Sequence, residues 1–171
     1  MVPGSRAAAV LVPLFEEDGE ARVILTKRPE HMPSHQGEIA FPGGKVQADV
    51  DATVLDAALR EAEEEIGLPR SAVEVVAELD GIATVATRFS ITPFVGLLAE
   101  RPVLVPDPSE VVRVLDVPIS DLLDDGAYRE ERWDLGIPDR AVYFFELPDE
   151  TVWGATARIL AGFLEHLVEG R

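Results

Sequence analysis

The 171-residue chain contains no cysteine. This excludes disulfide staples, thiolate metal ligands and a cysteine nucleophile, and it agrees with a cytoplasmic setting. Long hydrophobic runs are missing as well, so no stretch is long enough for a helical membrane span. Ala7 to Phe15 is apolar, but Pro13 and the short length suit a β-strand better than a signal peptide. Positive charge is scarce: 15 Lys and Arg stand against 32 Asp and Glu, for a net charge of −17. Such a surface repels a phosphate backbone and excludes a nucleic-acid platform. Hydrophobic residues make up 47% of the chain, enough to build the core of one domain spanning 1–171.

What basic character there is gathers in one place. Both lysines (Lys27 and Lys45) and two of the three histidines (His31 and His35) fall between positions 27 and 45, with Arg28 among them. In so acidic a chain this is where a phosphate group would settle, which makes Lys27, Arg28, His35 and Lys45 candidate substrate-binding residues. Scattered loop charges are the plainer alternative.

The stretch from Phe41 to Leu68 reads as a strand end, a Pro-Gly-Gly turn, a polar loop and a helix. Thr53 is a suitable N-cap with Asp56 three residues on, and Gly67 can end the helix in a left-handed conformation. At about 100° per residue, Leu55, Leu59, Ala62 and Ile66 form a core-facing stripe, and Glu61, Glu64 and Glu65 share another sector. Glu63 lies apart, toward solvent. Carboxylates at these spacings repel by roughly 2–3 kcal/mol per pair at an effective dielectric near 20, so a compensating cation is expected. Oxygen ligands favour Mg²⁺ or Mn²⁺ over Zn²⁺. A solvated acidic helix face is the alternative.

These residues resemble the Nudix box. Gly44 matches its first glycine, and Arg60-Glu61-Ala62-Glu63-Glu64-Glu65-Ile66-Gly67-Leu68 matches its second half, with Ala62 as the aliphatic position. The gap from Gly44 to Arg60 is longer than the pattern and holds no Glu; Asp49 or Asp51 is the available substitute. A second likeness precedes the box. Leu25-Thr26-Lys27-Arg28, Gly37 and Phe41-Pro42-Gly43-Gly44 are similar to the signature of coenzyme A-cleaving Nudix enzymes, with Pro29 and Pro33 standing where that signature has Ser or Ala and Arg. Thr92-Pro93-Phe94-Val95-Gly96 and Trp153-Gly154-Ala155-Thr156-Ala157 are further stretches similar to that subgroup.

The resemblance implies an α/β Nudix fold, an α/β/α sandwich on a mixed sheet. It implies hydrolysis of a nucleoside diphosphate linked to another group, with coenzyme A or an acyl derivative the favoured substrate. ADP-ribose, a dinucleotide or a nucleoside triphosphate is the runner-up, and a non-catalytic nucleotide-binding domain the rival of another class. Gly44, Glu61, Glu64 and Glu65 would hold Mg²⁺ or Mn²⁺; Glu61, Glu64 and Arg60 would be the catalytic set, with Arg60 anchoring the glutamates or the glycine loop. Relatives are often dimers, so a homodimer is admissible. No Ser-His-Asp arrangement, Walker motif or dinucleotide fingerprint is present.

Elsewhere, Ala7–Phe15 and Ala21–Lys27 form a hairpin about Asp18-Gly19. Arg28 to Gln36 reads as a loop. Val73–Val85 reads as a strand with a bulge or bend at Gly81, and Ile91–Leu98 as a strand whose Pro93 suits a start or an edge. Arg101–Pro108 is a loop. Glu110 opens a strand leading to a short helix at Ile119–Leu123, and is either a further ligand or a solvated residue. Tyr128–Leu135 and Arg140–Leu147 pair, and a last helix over about Thr151–Val168 buries Leu160, Phe163, Leu164 and Leu167.

Overall fold

The computed structural model describes residues 4–31, 36–84, 87–134, 136 and 138–170. His35 and Pro33, together with Val85 and Leu135 at the ends of two expected strands, lie outside the described residues. In chain order the elements are β1 (Arg6–Glu17), β2 (Glu20–Lys27), β3 (Ile39–Ala40), β4 (Gly43–Lys45), α1 (Val54–Ile66), β5 (Glu74–Glu78), β6 (Ile82–Ala83), β7 (Phe89–Leu97), β8 (Arg113–Pro118), α2 (Ile119–Leu123), β9 (Tyr128–Trp133), β10 (Arg140–Glu146), β11 (Thr151–Trp153) and α3 (Gly154–Glu169).

Asp18 and Gly19, with φ of 54° and 78°, make the tight turn that sets β1 antiparallel to β2, pairing Glu17 with Glu20. β1 also runs parallel to β7 along its length, from Arg6 opposite Phe89 to Leu14 opposite Leu97. One parallel pair among antiparallel ones makes the sheet mixed. β3 and β8 extend it beyond β2, β5 and β6 beyond β7, and β4 pairs with β1. β9, β10 and β11 form a separate antiparallel sheet.

Strand alternation sorts the core into two layers. Ala9, Leu11, Phe15 and Ile24 pack with Ala57, Ala58, Leu59, Ala62 and Ile66 of α1. Val12, Val23 and Leu25, on the other face, pack with Phe145, Val152, Leu160, Phe163 and Leu164 of the small sheet and α3. The main sheet is thus covered by helices on both faces, the α/β/α arrangement implied by the sequence.

Several expectations are corrected. Pro93 lies mid-strand, with β1 on one side and β5 and β6 on the other. Its carbonyl accepts from the Leu79 N–H at 2.9 Å, so its missing donor points to the same side, where pairing lapses between β5 and β6. The expected strand over Val73–Val85 divides there, with a bulge between Val75 and Ala77. Glu110 sits in a turn before β8 rather than within it. Thr151–Trp153 is a strand because Val152 and Trp153 find partners in Phe145 and Phe144 of β10, so the last helix begins only at Gly154. Leu167, near the end of α3, projects past the sheet and is exposed.

Candidate active site

α1 is held in register at both ends. The Thr53 hydroxyl accepts from the Asp56 N–H at 3.1 Å, and the Asp56 carboxylate accepts from the Thr53 N–H at 2.9 Å. Gly67 closes the helix at φ 67° and ψ 23°, donating its N–H to the carbonyls of Ala62 and Glu63. With the apolar stripe against the sheet, Glu65 falls at the edge of the buried face and is only 4% exposed.

Carboxylate oxygens of Glu61, Glu65 and Glu110 lie within 4.8 Å of one another. Glu110 is carried by the chain that follows β7. That segment is fastened to the end of α1: the Asp107 N–H donates to the Glu65 carbonyl and the Val105 N–H to the Ile66 carbonyl, each at 2.9 Å. The Asp107 carboxylate then caps a tight turn through the Ser109 N–H and hydroxyl, and the Asp107 carbonyl accepts from the Glu110 and Val111 N–H groups. Of the two readings of Glu110, the structure supports membership of the acid cluster. No local pattern marks it, because its position depends on β8 pairing beside β2.

Glu64 is not in the cluster. Its side chain is 54% exposed and is drawn toward Arg60 one turn earlier, with Arg60 Nη1 at 3.1 Å. Arg60 ties the neighbourhood together. Its Nε and Nη2 donate to the two oxygens of Asp51 at 2.8 and 3.0 Å, Nη1 also to Glu61 at 2.9 Å, and Nη2 to the Lys45 carbonyl at 3.2 Å. Arg60 thus bonds both a member of the acid cluster and the backbone next to the glycine turn. Asp51, which also accepts from the Gln47 N–H at 2.7 Å, is committed to this bidentate pair and does not join the acids. Asp49 is exposed.

The two glycines allow this crowding. β4 lies against β1, with Gly43 opposite Val10 and Gly44 opposite Ala9. A Cβ on Gly44 would lie 2.6 Å from the Glu61 carboxyl carbon, and one on Gly43 would run into the backbone of Ala9 and Val10. The Gly43 N–H points at Glu65 Oε2, 3.4 Å away.

Burial pushes the Glu65 carboxyl up to about 8, aided by the negative charges of Glu61 and Glu110 and opposed by the Gly43 N–H and by Arg28. Burial also raises Glu61, against the pull of the Arg60 guanidinium. Hydrogen bonding with Asp51 raises Arg60 and lowers Asp51 in turn. Among the described residues no ion pair neutralises Glu65 or Glu110. Clustered, partly buried oxygen donors with no nitrogen or sulfur among them fit a hard divalent cation, and the space left by Gly44 keeps the backbone from closing over them.

Beside the glycines opens a cavity of about 570 Å³. One wall carries Arg28, Gly43, Gly44, Lys45 and Phe89 of the main sheet region; the other carries Arg140, Tyr143, Trp153 and Arg158 from the small sheet and α3. Of the basic residues expected to bind substrate, Arg28 and Lys45 line it. Lys27 does not: its ammonium is bound to Glu150 at 2.6 Å. Arg140 and Arg158 had no local signal, being isolated arginines far along the chain.

A model of the NUDIX domain family matches residues 5–134. The plant protein "Nudix hydrolase 22, chloroplastic" of Arabidopsis thaliana is 43% identical over 163 residues, covering 91% of this chain and 53% of that one. The chain thus spans about half the length of that relative, and 56% of a second one from the same plant, "Nudix hydrolase 15, mitochondrial". A Nudix hydrolase of Escherichia coli O139:H28, NudL, is 38% identical over 91% of this chain and 79% of its own. Among solved structures, RenU, a Nudix hydrolase from M. smegmatis, superposes with a TM-score of 0.59 at 25% identity, covering 70% of this chain and 74% of that one. With the domain matched over most of its length and a bacterial relative aligned over more than three quarters of its own, this chain belongs to the Nudix family.

Proposed function

We propose that the protein is a divalent-metal-dependent hydrolase of a nucleoside diphosphate linked to another moiety. The favoured substrate is coenzyme A or an acyl-coenzyme A, cleaved to 3′,5′-ADP and a 4′-phosphopantetheine derivative. The observation that carries this is the convergence of Glu61, Glu65 and Glu110 behind a glycine pair that itself lines a cavity bearing Arg28 and Lys45.

A phosphoanhydride is shielded by its own oxygens, so cleavage needs charge neutralisation and positioning more than covalent help. Glu61, Glu65 and Glu110, together with the Gly44 carbonyl, would hold Mg²⁺ or Mn²⁺. The bound ion would neutralise phosphate oxygens and lower the pKa of a water. Arg28 and Lys45 hold the diphosphate from the cavity side. Arg60 keeps Glu61 turned toward the site and Glu64 at its solvent edge, where Glu64 serves as a further ligand or as the proton acceptor. The protein acts as one domain, in the cytoplasm.

The test is an assay with Mg²⁺ or Mn²⁺ and a panel of coenzyme A, ADP-ribose, NADH and diadenosine polyphosphates. Release of 3′,5′-ADP from coenzyme A supports the reading. Turnover of ADP-ribose alone would move the substrate to the runner-up. A folded protein that turns over nothing with any metal overturns catalysis and favours the binding-domain rival.

A further inference from the structure

Cations are distributed over the cavity in a way the diphosphate does not explain. Four of the chain's 15 basic residues line it, Arg28, Lys45, Arg140 and Arg158, against a single one of 32 acids, Glu38. In a chain of net charge −17 this is a local reversal of sign. The four divide by element. Arg28 and Lys45 flank the glycine turn beside the acid cluster. Arg140 at the start of β10 and Arg158 on α3 stand on the other wall, beyond the residues matched by the family domain.

The second pair has little to do within the fold. Arg158 makes no hydrogen bond or ion pair with any described residue and lies exposed on its helix. Arg140 donates only a long bond, 3.4 Å, to the Ala83 carbonyl, and has no acidic partner among the described residues. By contrast Arg22, Arg60, Arg101, Arg113, Arg129 and Arg132 are each paired with Asp or Glu. The lining also includes two aromatic rings: Phe89, which has the Arg6 guanidinium 4.5 Å and the Lys45 ammonium 5.8 Å from its centre, and Trp153, 40% exposed. Trp153 offers a planar base a surface to rest on.

We propose that Arg140 and Arg158 bind a second anionic group of the substrate, a phosphomonoester separate from the scissile diphosphate, and so set which nucleotides are accepted. This rests on the reading of the site as one for nucleoside diphosphate derivatives. Two guanidiniums offer ten N–H donors in planar forks that match phosphate oxygens. Hydrogen bonds to a charged group of this kind each correspond to about tenfold or more in affinity.

The experiment measures binding by calorimetry and needs no turnover. Wild type, R158Q, R140Q/R158Q and the control R132Q are titrated with 5′-AMP and with adenosine 3′,5′-bisphosphate, which differ by one phosphomonoester. Wild type and R132Q are expected to bind the bisphosphate about tenfold or more tighter, R158Q to lose part of that preference, and R140Q/R158Q to bind the two alike. Equal binding of both nucleotides by wild type, or an unchanged preference in R140Q/R158Q, overturns the proposal. R158Q, altered at an exposed helix position, keeps the comparison valid if the double variant does not fold. Should coenzyme A prove not to be cleaved while the arginine-dependent preference stands, the substrate reading fails and the phosphomonoester site does not.

Discussion

In the metal-free protein the buried Glu65 carboxyl, pushed up to about 8 from an ordinary value of 4.5, favours its neutral form through much of the neutral range. Its contribution to stability is fully present below pH 4.5, where folded and unfolded chains are both protonated, and is lost as pH rises through about 8. Glu65→Gln removes that titration. The melting temperature of the metal-free variant, followed in chelator from pH 4.5 to 8.5, should therefore fall less steeply than that of wild type. The stabilisation by added Mg²⁺, greatest for wild type at high pH, should disappear in the variant along with most activity. Identical pH profiles for the two proteins would show that Glu65 is not the buried acid described. Gly44→Ala tests the same corner sterically: a methyl 2.6 Å from the Glu61 carboxyl carbon must displace that side chain. Activity should drop on the order of 100-fold, the effect of an ångström-scale misplacement, with the fold retained. Asp51→Ala acts differently, because it leaves Arg60 without its bidentate partner. A loss of about 3 kcal/mol in chemical denaturation, together with activity, is expected. At this scale the sequence is informative where geometry is local. Helical angles place Glu61 and Glu65 together, and Arg60 precedes Glu61 directly in the chain. The same angles place Glu64 with them, and miss that Arg60, one turn earlier, turns it toward solvent.

Elements with self-contained signals are the ones the chain declares openly. Thr53, Asp56 and Gly67 define α1, and Asp18-Gly19 defines the first hairpin, because capping and tight turns are made by residues within a few positions. Thr53→Ala breaks the capping box far from the acids. It should cost about 1 kcal/mol, read as a melting temperature lower by roughly 2–4 °C, with catalysis by the folded fraction unchanged. Elements that exist only through a partner are hidden. Thr151–Trp153 takes strand form because β10 lies alongside, and read alone it continues into the helix after it. Pro93 likewise reads as a strand start or an edge until the lapse between β5 and β6 shows where its lost donor falls.

Across the whole molecule, the charge of −17 sets up repulsion that ordinary salt relieves. Raising sodium chloride from 0.01 to 0.5 M should raise the melting temperature of wild type in the absence of divalent ions; a fall would mean that the numerous surface ion pairs outweigh the repulsion. The cavity belongs to this scale too. Its cationic lining joins residues from the first fifty positions to residues beyond 139, a juxtaposition that depends on the small sheet and α3 folding back across the main sheet. Composition hints at a basic locus around 27–45 but is silent on its opposite wall.

The turn that delivers Glu110 is fastened to the last turn of α1, yet the two acids it unites, Glu65 and Glu110, are roughly 45 residues apart along the chain, a span for which loop closure carries a substantial entropic penalty. An ion gripped by both would serve as a removable cross-link in a protein that has no thiols to make a permanent one. Chelation would then do more than silence chemistry: it would leave the 101–111 segment held to the helix by its backbone hydrogen bonds alone, and proteases should find that segment first.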